Sequence, residues 1–168
     1  MNAPVIKPAL LVKEGGQLPI AGEALAELMS AVLGKGRAFR FRARGLSMSP
    51  FVRDGDIVTV APTVSAPPRT GEIAAFVHAE TGRLRIHRII GIKEGRCLLK
   101  GDNALEPDGE VPVERILGLV VRVERDGRPA RPGRGLAGAA IARASRAGLF
   151  IRALRRIGRA FPWYRRKA

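Results

Sequence analysis

The sequence has one cysteine among 168 residues, Cys97, which excludes an internal disulfide and leaves too few thiols for a zinc ribbon. Aromatic residues make up only 5% of the chain. No apolar run approaches the roughly 18 residues that a membrane-spanning helix needs, and the N-terminus lacks a secretory apolar core. We therefore expect no transmembrane helix and no signal peptide, and a protein that is cytoplasmic or peripheral at the inner membrane face.

Acidic residues are missing from the C-terminal part of the chain. The whole sequence has 30 Lys and Arg against 15 Asp and Glu, a net charge of +15. Twelve basic residues and no acidic one follow Asp126, so the first 126 residues carry 18 basic and 15 acidic groups, a net charge of +3. This distribution predicts a near-neutral globular body with a strongly basic tail.

The pattern of apolar residues in the body predicts a mainly β fold. Helical spacing of Leu25, Leu28, Met29 and Val32 predicts an amphipathic helix over residues 22–33. Beyond it, runs of β-forming residues alternate with Gly, Asp and Pro turns, which is typical of a compact barrel-like or folded antiparallel sheet rather than of βαβ units. The predicted strands are 39–44, 57–61, 73–78, 84–92, 97–100, 111–113 and 116–123.

The composition divides the chain into three segments. Residues 1–36 are predicted to form an arm and the amphipathic helix, residues 37–126 a β-rich domain, and residues 127–168 a basic linker (Gly127 to Gly135) with a C-terminal helix. That helix has an apolar face and an arginine face; the residues are Phe150, Ala153, Leu154, Ile157 and Phe161 on the first, and Arg152, Arg155, Arg156 and Arg159 on the second. This pattern favours an anionic membrane surface as the partner of residues 136–167, over packing on the body or binding of nucleic acid.

Two short segments carry groups suited to nucleophilic catalysis. Gly45 and Pro50 predict a tight turn that exposes Ser47, although such a turn also occurs in ordinary loops. A serine hydroxyl becomes a good nucleophile only when a neighbouring base accepts its proton. Histidine suits that task near neutral pH, and the two histidines are His87, within a β-branched strand, and His78.

A third segment adds carboxylates close to a glycine-rich turn. Asp102 and Asp108 either cap turns or hold a neutral imidazole in the correct tautomer. Lys93 and Lys100 remain alternative bases. The residues by themselves leave these assignments open.

Taken together and in this order, the segments resemble type I signal peptidases and their relatives among the serine peptidases that cleave precursors or themselves. The resemblance covers roughly residues 38–125. At the position of the lysine base of the common bacterial branch this chain has His87, as in the branch that resembles the endoplasmic-reticulum and archaeal enzymes. The matching segments are Gly45-Leu46-Ser47-Met48-Ser49-Pro50, Arg53-Asp54-Gly55-Asp56-Ile57-Val58, Thr70-Gly71-Glu72-Ile73-Ala74-Ala75-Phe76, Ile86-His87-Arg88-Ile89-Ile90-Gly91, Lys100-Gly101-Asp102-Asn103, Asp108 and Ile116-Leu117-Gly118.

The resemblance implies a role for each site residue. Ser47 is expected to be the nucleophile, His87 the general base, and Asp108, six positions after Asp102, the residue that orients the imidazole. Asp102 is expected to support the site, and the Ser47 N–H to stabilise the oxyanion. The substrate implied is a precursor polypeptide cleaved after a small residue, and no metal or organic cofactor is called for.

Two other functions compete with this one. Self-cleaving repressors share the Ser-Met-x-Pro segment, but they use a lysine base and carry an N-terminal DNA-binding domain, for which about 38 residues are too few. A non-catalytic membrane- or nucleic-acid-binding module on the same fold is the other alternative. The sequence also departs from membrane signal peptidases, because an amphipathic helix stands where they have a hydrophobic one.

Overall fold

The computed structural model describes residues 22–63, 67–133 and 135–147, which form two α-helices and eight β-strands. Helix α1 is Gly22–Gly34 and helix α2 is Gly135–Arg146. A short 3₁₀ turn, Val113–Arg115, links the sixth strand to the seventh. No helix within these ranges combines the length and the apolar character needed to cross a bilayer. The strands are β1 (Phe39–Arg42), β2 (Ile57–Pro62), β3 (Ile73–Val77), β4 (Leu84–Lys93), β5 (Arg96–Lys100), β6 (Gly109–Pro112), β7 (Ile116–Arg125) and β8 (Arg128–Ala130).

All strand pairs are antiparallel and form one sheet in the order β1-β2-β7-β3-β4-β5-β6, with β8 added to β7. Strand β2 pairs along one edge of β7, while β3 and then β8 pair along its other edge. The sheet ends at β1 and β6 and does not close on itself. The prediction of a mainly β fold is therefore confirmed, as a folded open sheet.

Alternation along the strands creates an apolar cluster on each face of the sheet. Ala75 belongs to one cluster, whereas its neighbours Ala74 and Phe76 belong to the other. The first cluster also receives Met29 and Leu33 of α1. The helix thus covers one face of the sheet and places its N-terminal end near the connection between β1 and β2.

The buried face of α1 differs from the predicted one. Ala26, Met29 and Leu33 are buried, whereas Leu28, expected in the apolar stripe, is 44% exposed. The helix is apolar around much of its circumference, so the spacing alone allowed two overlapping stripes. The helix ends at Gly34, one residue beyond the predicted end. Gly36, just after it, adopts a φ of +69°, which is typical of a residue that terminates a helix.

The segment after β7 is more ordered than the sequence suggested. Residues 127–135, predicted as a linker, include β8, which pairs with residues Val123 to Arg125. Helix α2 begins at Gly135 and buries Gly138, Ala142 and Ser145. The apolar and arginine faces predicted from Phe150 to Phe161 lie outside the described residues, and the three-segment division of the chain stays a prediction.

Candidate active site

Residues 43–56 connect β1 to β2 and form a serine loop that holds Ser47 at the surface. Gly45 begins the bend with a φ of +94°, a conformation that side chains beyond glycine rarely adopt. Met48 is buried in the core, and its carbonyl accepts a hydrogen bond from the Val52 N–H at 3.0 Å. Because Met48 anchors the loop inward, the preceding hydroxyl of Ser47 is left exposed on the outside of the bend.

Two aspartates hold the end of the serine loop in place. Asp54 accepts a hydrogen bond from the Gly45 N–H at 2.8 Å. Asp56 is buried and accepts hydrogen bonds from the Arg125 guanidinium at 2.9 and 2.8 Å and from the Arg53 N–H at 2.8 Å. Burial would raise the pKa of Asp56, but the contacts with Arg125 and Arg53 outweigh it and lower the pKa. The sequence predicted only a turn here, and the structure adds a fixed attachment of the loop to β7.

Strand β4 brings the imidazole of His87 to the serine loop. His87 Nε2 lies 2.8 Å from the Ser47 Oγ, although the two residues are forty positions apart. The side chain is almost fully buried, and its cross-strand neighbour on β3 is the small residue Ala74. The structure therefore brings together the expected nucleophile and the expected base.

Asp108 lies on the far side of the imidazole. Its Oδ2 is 2.5 Å from His87 Nδ1, and its Oδ1 accepts a hydrogen bond from Arg85 Nη1 at 2.5 Å. The Asp108 N–H donates to the Leu99 carbonyl at 2.8 Å, which fixes the carboxylate just before β6 begins. Burial alone would raise the pKa of Asp108, but His87 and Arg85 outweigh it and lower the pKa. A carboxylate at this position keeps a proton on Nδ1, so that Nε2 accepts the Ser47 proton.

Asp102 does not contact the imidazole. Its two carboxylate oxygens accept hydrogen bonds from Arg88 Nε at 2.8 Å and Nη2 at 2.7 Å, and both side chains are fully buried. Burial raises the pKa of Asp102, and the Arg88 guanidinium only partly opposes that effect. The two aspartates that the sequence left as alternatives thus have different partners, the imidazole for Asp108 and a guanidinium for Asp102.

The residues on either side of Asp102 contact the serine loop directly. Residues 101–108 form a Gly-Asp-Asn loop, in which the Asn103 N–H donates to the Ser47 carbonyl at 2.7 Å and the Asn103 side chain to the Leu46 carbonyl at 3.2 Å. A Cβ on Gly101 would lie 2.7 Å from the Ser47 carbonyl oxygen and 3.2 Å from His87 Nε2. The motif was visible in the sequence, but the roles of Gly101 and Asn103 were not, because they act through backbone atoms of a distant loop.

The remaining candidates lie away from this hydrogen-bonded chain. His78 borders the same cleft and pairs its Nδ1 with the Thr81 hydroxyl at 3.4 Å. Lys93 is exposed and pairs with Glu94. Lys100 is buried, and its Nζ donates to the Ser145 carbonyl at 3.0 Å. Among the described residues, the polar partners of the two lysines are therefore Glu94 and Ser145, and not Ser47 or His87.

A cleft of about 920 Å³ opens beside the Ser47 hydroxyl. Its walls come from β1, the serine loop, β4, the Gly-Asp-Asn loop and the start of α1; they include Leu25, Phe41, Ala43, Met48, Leu84 and Ile86. Strand β1 pairs with β2 along one edge and has no partner strand on the other within the described residues. The described residues contain no cluster of His, Cys, Asp and Glu that could hold a metal ion.

The arrangement can perform acyl transfer. An imidazole that accepts the hydroxyl proton allows Oγ to attack a carbonyl carbon, and a carboxylate on the opposite nitrogen stabilises the imidazolium that forms. The N–H of the nucleophile Ser47 is the candidate oxyanion donor, whereas the Gly45 N–H is already bound to Asp54.

Comparison with known proteins places these residues within one family. A family model described as Peptidase S24-like matches residues 13–121, a range that contains Ser47, His87 and both aspartates. No curated protein matches the chain. The superfamily expected from the motifs is confirmed, whereas the Ser–His branch remains a prediction.

Proposed function

The chain belongs to the Peptidase S24-like family, and we propose that it is a serine endopeptidase that cleaves precursor polypeptides after small residues. The observation that carries the proposal is the continuous hydrogen-bonded chain from Ser47 through His87 to Asp108. The family includes signal peptidases and self-cleaving repressors, so membership by itself leaves both substrate and base undefined.

Ser47 attacks the scissile carbonyl while His87 accepts its proton at Nε2. His87 then protonates the leaving amine, and a water molecule activated by the same nitrogen hydrolyses the acyl-enzyme. Asp108 keeps the other nitrogen protonated and balances the imidazolium charge. The Ser47 N–H donates to the developing oxyanion.

An extended polypeptide suits the cleft. The free edge of β1 offers backbone groups to an extended chain, which gives affinity without a fixed sequence. Side chains that point into the cleft would meet Phe41, Ala43, Ile86 and Leu84, an apolar surface that favours small, uncharged residues next to the scissile bond.

The proposal is tested with purified protein and a library of peptides that vary around one small residue, with products identified by mass spectrometry. Ser47→Ala and His87→Ala should each lower kcat by about 10⁴-fold or more and leave the circular dichroism spectrum unchanged. Ser30→Ala, an exposed serine of α1, is the matched control and should retain full activity. A fully active Ser47→Ala protein would rule out this mechanism.

Self-processing is a second candidate, and one observation favours it. Gly22, the first described residue, lines the same cleft as Ser47 and His87, and a small residue, Ala21, precedes it in the sequence. Cleavage before Gly22 should produce a fragment that begins at Gly22, with a first-order rate that does not change with protein concentration. Release of that fragment by Ser47→Ala protein alone would exclude this reaction.

We also propose an anionic membrane surface as a partner of the basic C-terminal part, with the charge of that part as support. Vesicles containing phosphatidylserine should bind the full chain and bind it less after replacement of its arginines at 152, 155, 156 and 159 by glutamine. Equal flotation of both proteins would remove this idea.

A further inference from the structure

The side of β4 opposite His87 carries two buried cations. Alternation along β4 places His87 and its neighbour Arg88 on opposite sides of the strand. The Arg88 side also faces the serine loop, because the Arg88 guanidinium lies 5.4 Å from the centre of the Phe51 ring. Lys100 of β5 is the register partner of Arg88 and therefore lies beside it on the same face. Arg88 is 0% and Lys100 5% exposed. Two like charges in such a position are unfavourable unless other groups compensate them.

All five N–H groups of the Arg88 guanidinium have acceptors. Three of its hydrogen bonds go to the Asp102 carboxylate and to the Gly71 carbonyl, at 2.7–2.8 Å. The other two go to the carbonyls of Pro132 and Gly133, at 2.9 and 3.0 Å. The segment that leads into α2 thus completes the shell of this side chain, and without it two donors would be buried without acceptors.

Lys100 is compensated by the end of the same helix. Its Nζ donates to the carbonyl of Ser145, which lies in the last turn of α2 where carbonyls lack an intrahelical partner. A positive charge at a helix C-terminus is also favoured by the helix dipole. Among the described residues, no carboxylate pairs with Lys100.

Helix α2 reaches these cations because two glycines allow its backbone to approach the sheet. A Cβ on Gly138 would lie 2.6 Å from the Gly71 carbonyl oxygen and 2.8 Å from that of Gly133. A Cβ on Gly71 would lie 2.5 Å from the Ala139 nitrogen. Residues 131–133 and 135–146, defined here as the C-terminal clamp, are therefore in close contact with the sheet at both of their ends.

We propose that Arg88 and Lys100 are positioning residues, through which the C-terminal clamp holds His87 and Ser47 in their reactive arrangement. Arg88 follows His87 directly, and Lys100 directly precedes Gly101. Arg88 also holds Asp102, whose neighbour Asn103 binds the Ser47 carbonyl. The inference rests on the proposed peptidase function for its kinetic consequence, whereas the coupling itself can be tested without any substrate.

Gly138→Ala in the full chain tests the coupling. The added Cβ displaces α2, so amide hydrogen exchange in residues 135–146 should accelerate and the ¹⁵N signals of the His87 imidazole should shift. We expect kcat to fall about tenfold or more while KM changes less than twofold. Gly34→Ala is the matched control. Gly34 lies in α1, and a Cβ added there would have no atom within 4 Å.

Lys100→Met provides a second test, which keeps side-chain volume and removes the buried charge together with its contact to the Ser145 carbonyl. A several-fold loss of kcat at constant KM is expected, with Lys93→Met, at an exposed lysine, as the control. Faster exchange in α2 with unchanged imidazole signals would overturn the proposal for either variant. If the unmodified protein cleaves no peptide, the proposed function fails, and the imidazole signals of these variants still decide the coupling.

Discussion

On each side of β4 a carboxylate binds a nitrogen-containing side chain, but the two pairs serve different purposes. On the cleft face, Asp108 binds the His87 imidazole, whose other nitrogen meets an exposed hydroxyl. On the other side of the strand, the back face, Asp102 binds the Arg88 guanidinium, whose remaining N–H groups are all bound by carbonyls. Burial favours a higher pKa for both carboxyl groups. For Asp108 the contacts with His87 and Arg85 outweigh burial and lower the pKa, whereas for Asp102 burial prevails and the pKa is raised.

The difference shows how one loop serves both reaction and support. The Gly-Asp-Asn loop supplies a carboxylate to each face, but only the cleft face leaves a proton free to move. The back face has a permanently charged guanidinium, which cannot act as a base. We therefore expect substitutions on the cleft face to lower kcat the most. Substitutions on the back face should lower stability and, through the C-terminal clamp, reduce kcat to a smaller extent.

The largest effect is expected for Asp108→Asn. The amide can no longer hold His87 in the reactive tautomer, so kcat should fall by about 10³- to 10⁴-fold, or about 4–5.5 kcal/mol in activation free energy. The rate of peptide cleavage is compared between Asp108→Asn and the control Asp126→Asn. Asp126 lies in an exposed turn, so its substitution should leave kcat unchanged. A loss of stability without a loss of kcat would contradict the division between the faces.

Asp102→Asn should have its main effect on stability. It leaves the fully buried Arg88 charge without a counter-ion, and breaking such a pair costs about 3–5 kcal/mol in the free energy of unfolding. Urea denaturation measures this loss of unfolding free energy, with Asp126→Asn again as the control. An unchanged urea midpoint would show that the carbonyl contacts alone compensate the guanidinium.

Gly101→Ala sharpens the boundary between the two faces. The backbone of Gly101 is not in the left-handed region. The strain on an alanine therefore comes from its contacts with the Ser47 carbonyl oxygen, the Ala104 Cβ and His87 Nε2. A displacement of about 1 Å at these atoms should lower kcat by about 100-fold with little loss of stability. Gly34→Ala is the control, and near-normal activity of Gly101→Ala would mean that the serine loop adjusts freely.

The smallest effect is expected in the pH dependence of stability. Because the pKa of Asp108 is below its usual value of 3.8 in the folded protein, its contribution is fully present above that value and is lost as the pH falls through the lowered pKa. Asp108→Asn should therefore flatten the acid limb of the unfolding free energy measured in urea. Part of the limb should remain, since the pKa of Asp56 is lowered as well. An identical acid limb in both proteins would contradict the assignment of Asp108.

Much of the cleft face could be predicted from the sequence, because collinear short motifs mark Ser47, His87 and Asp108. Period-2 alternation also located most strands. The back face could not be predicted, since Arg88 is bound by carbonyls 44 and 45 residues away and a backbone acceptor leaves no mark in the sequence. Strand β8 was missed for a related reason: a three-residue strand rich in Pro and Arg has the composition of a linker.

The contacts of residues 101–108 have a practical consequence for protein engineering. The Asn103 N–H is hydrogen-bonded to the Ser47 carbonyl, the Asp108 carboxylate to the His87 imidazole, and the Asp102 carboxylate to the Arg88 guanidinium. To transfer this site to another scaffold, residues 101–108 would have to be moved as one segment. The three groups that they bind, which belong to Ser47, His87 and Arg88, would have to be moved with them. Replacing single residues of this segment would break the hydrogen bonds that keep the Ser47 hydroxyl beside the His87 imidazole.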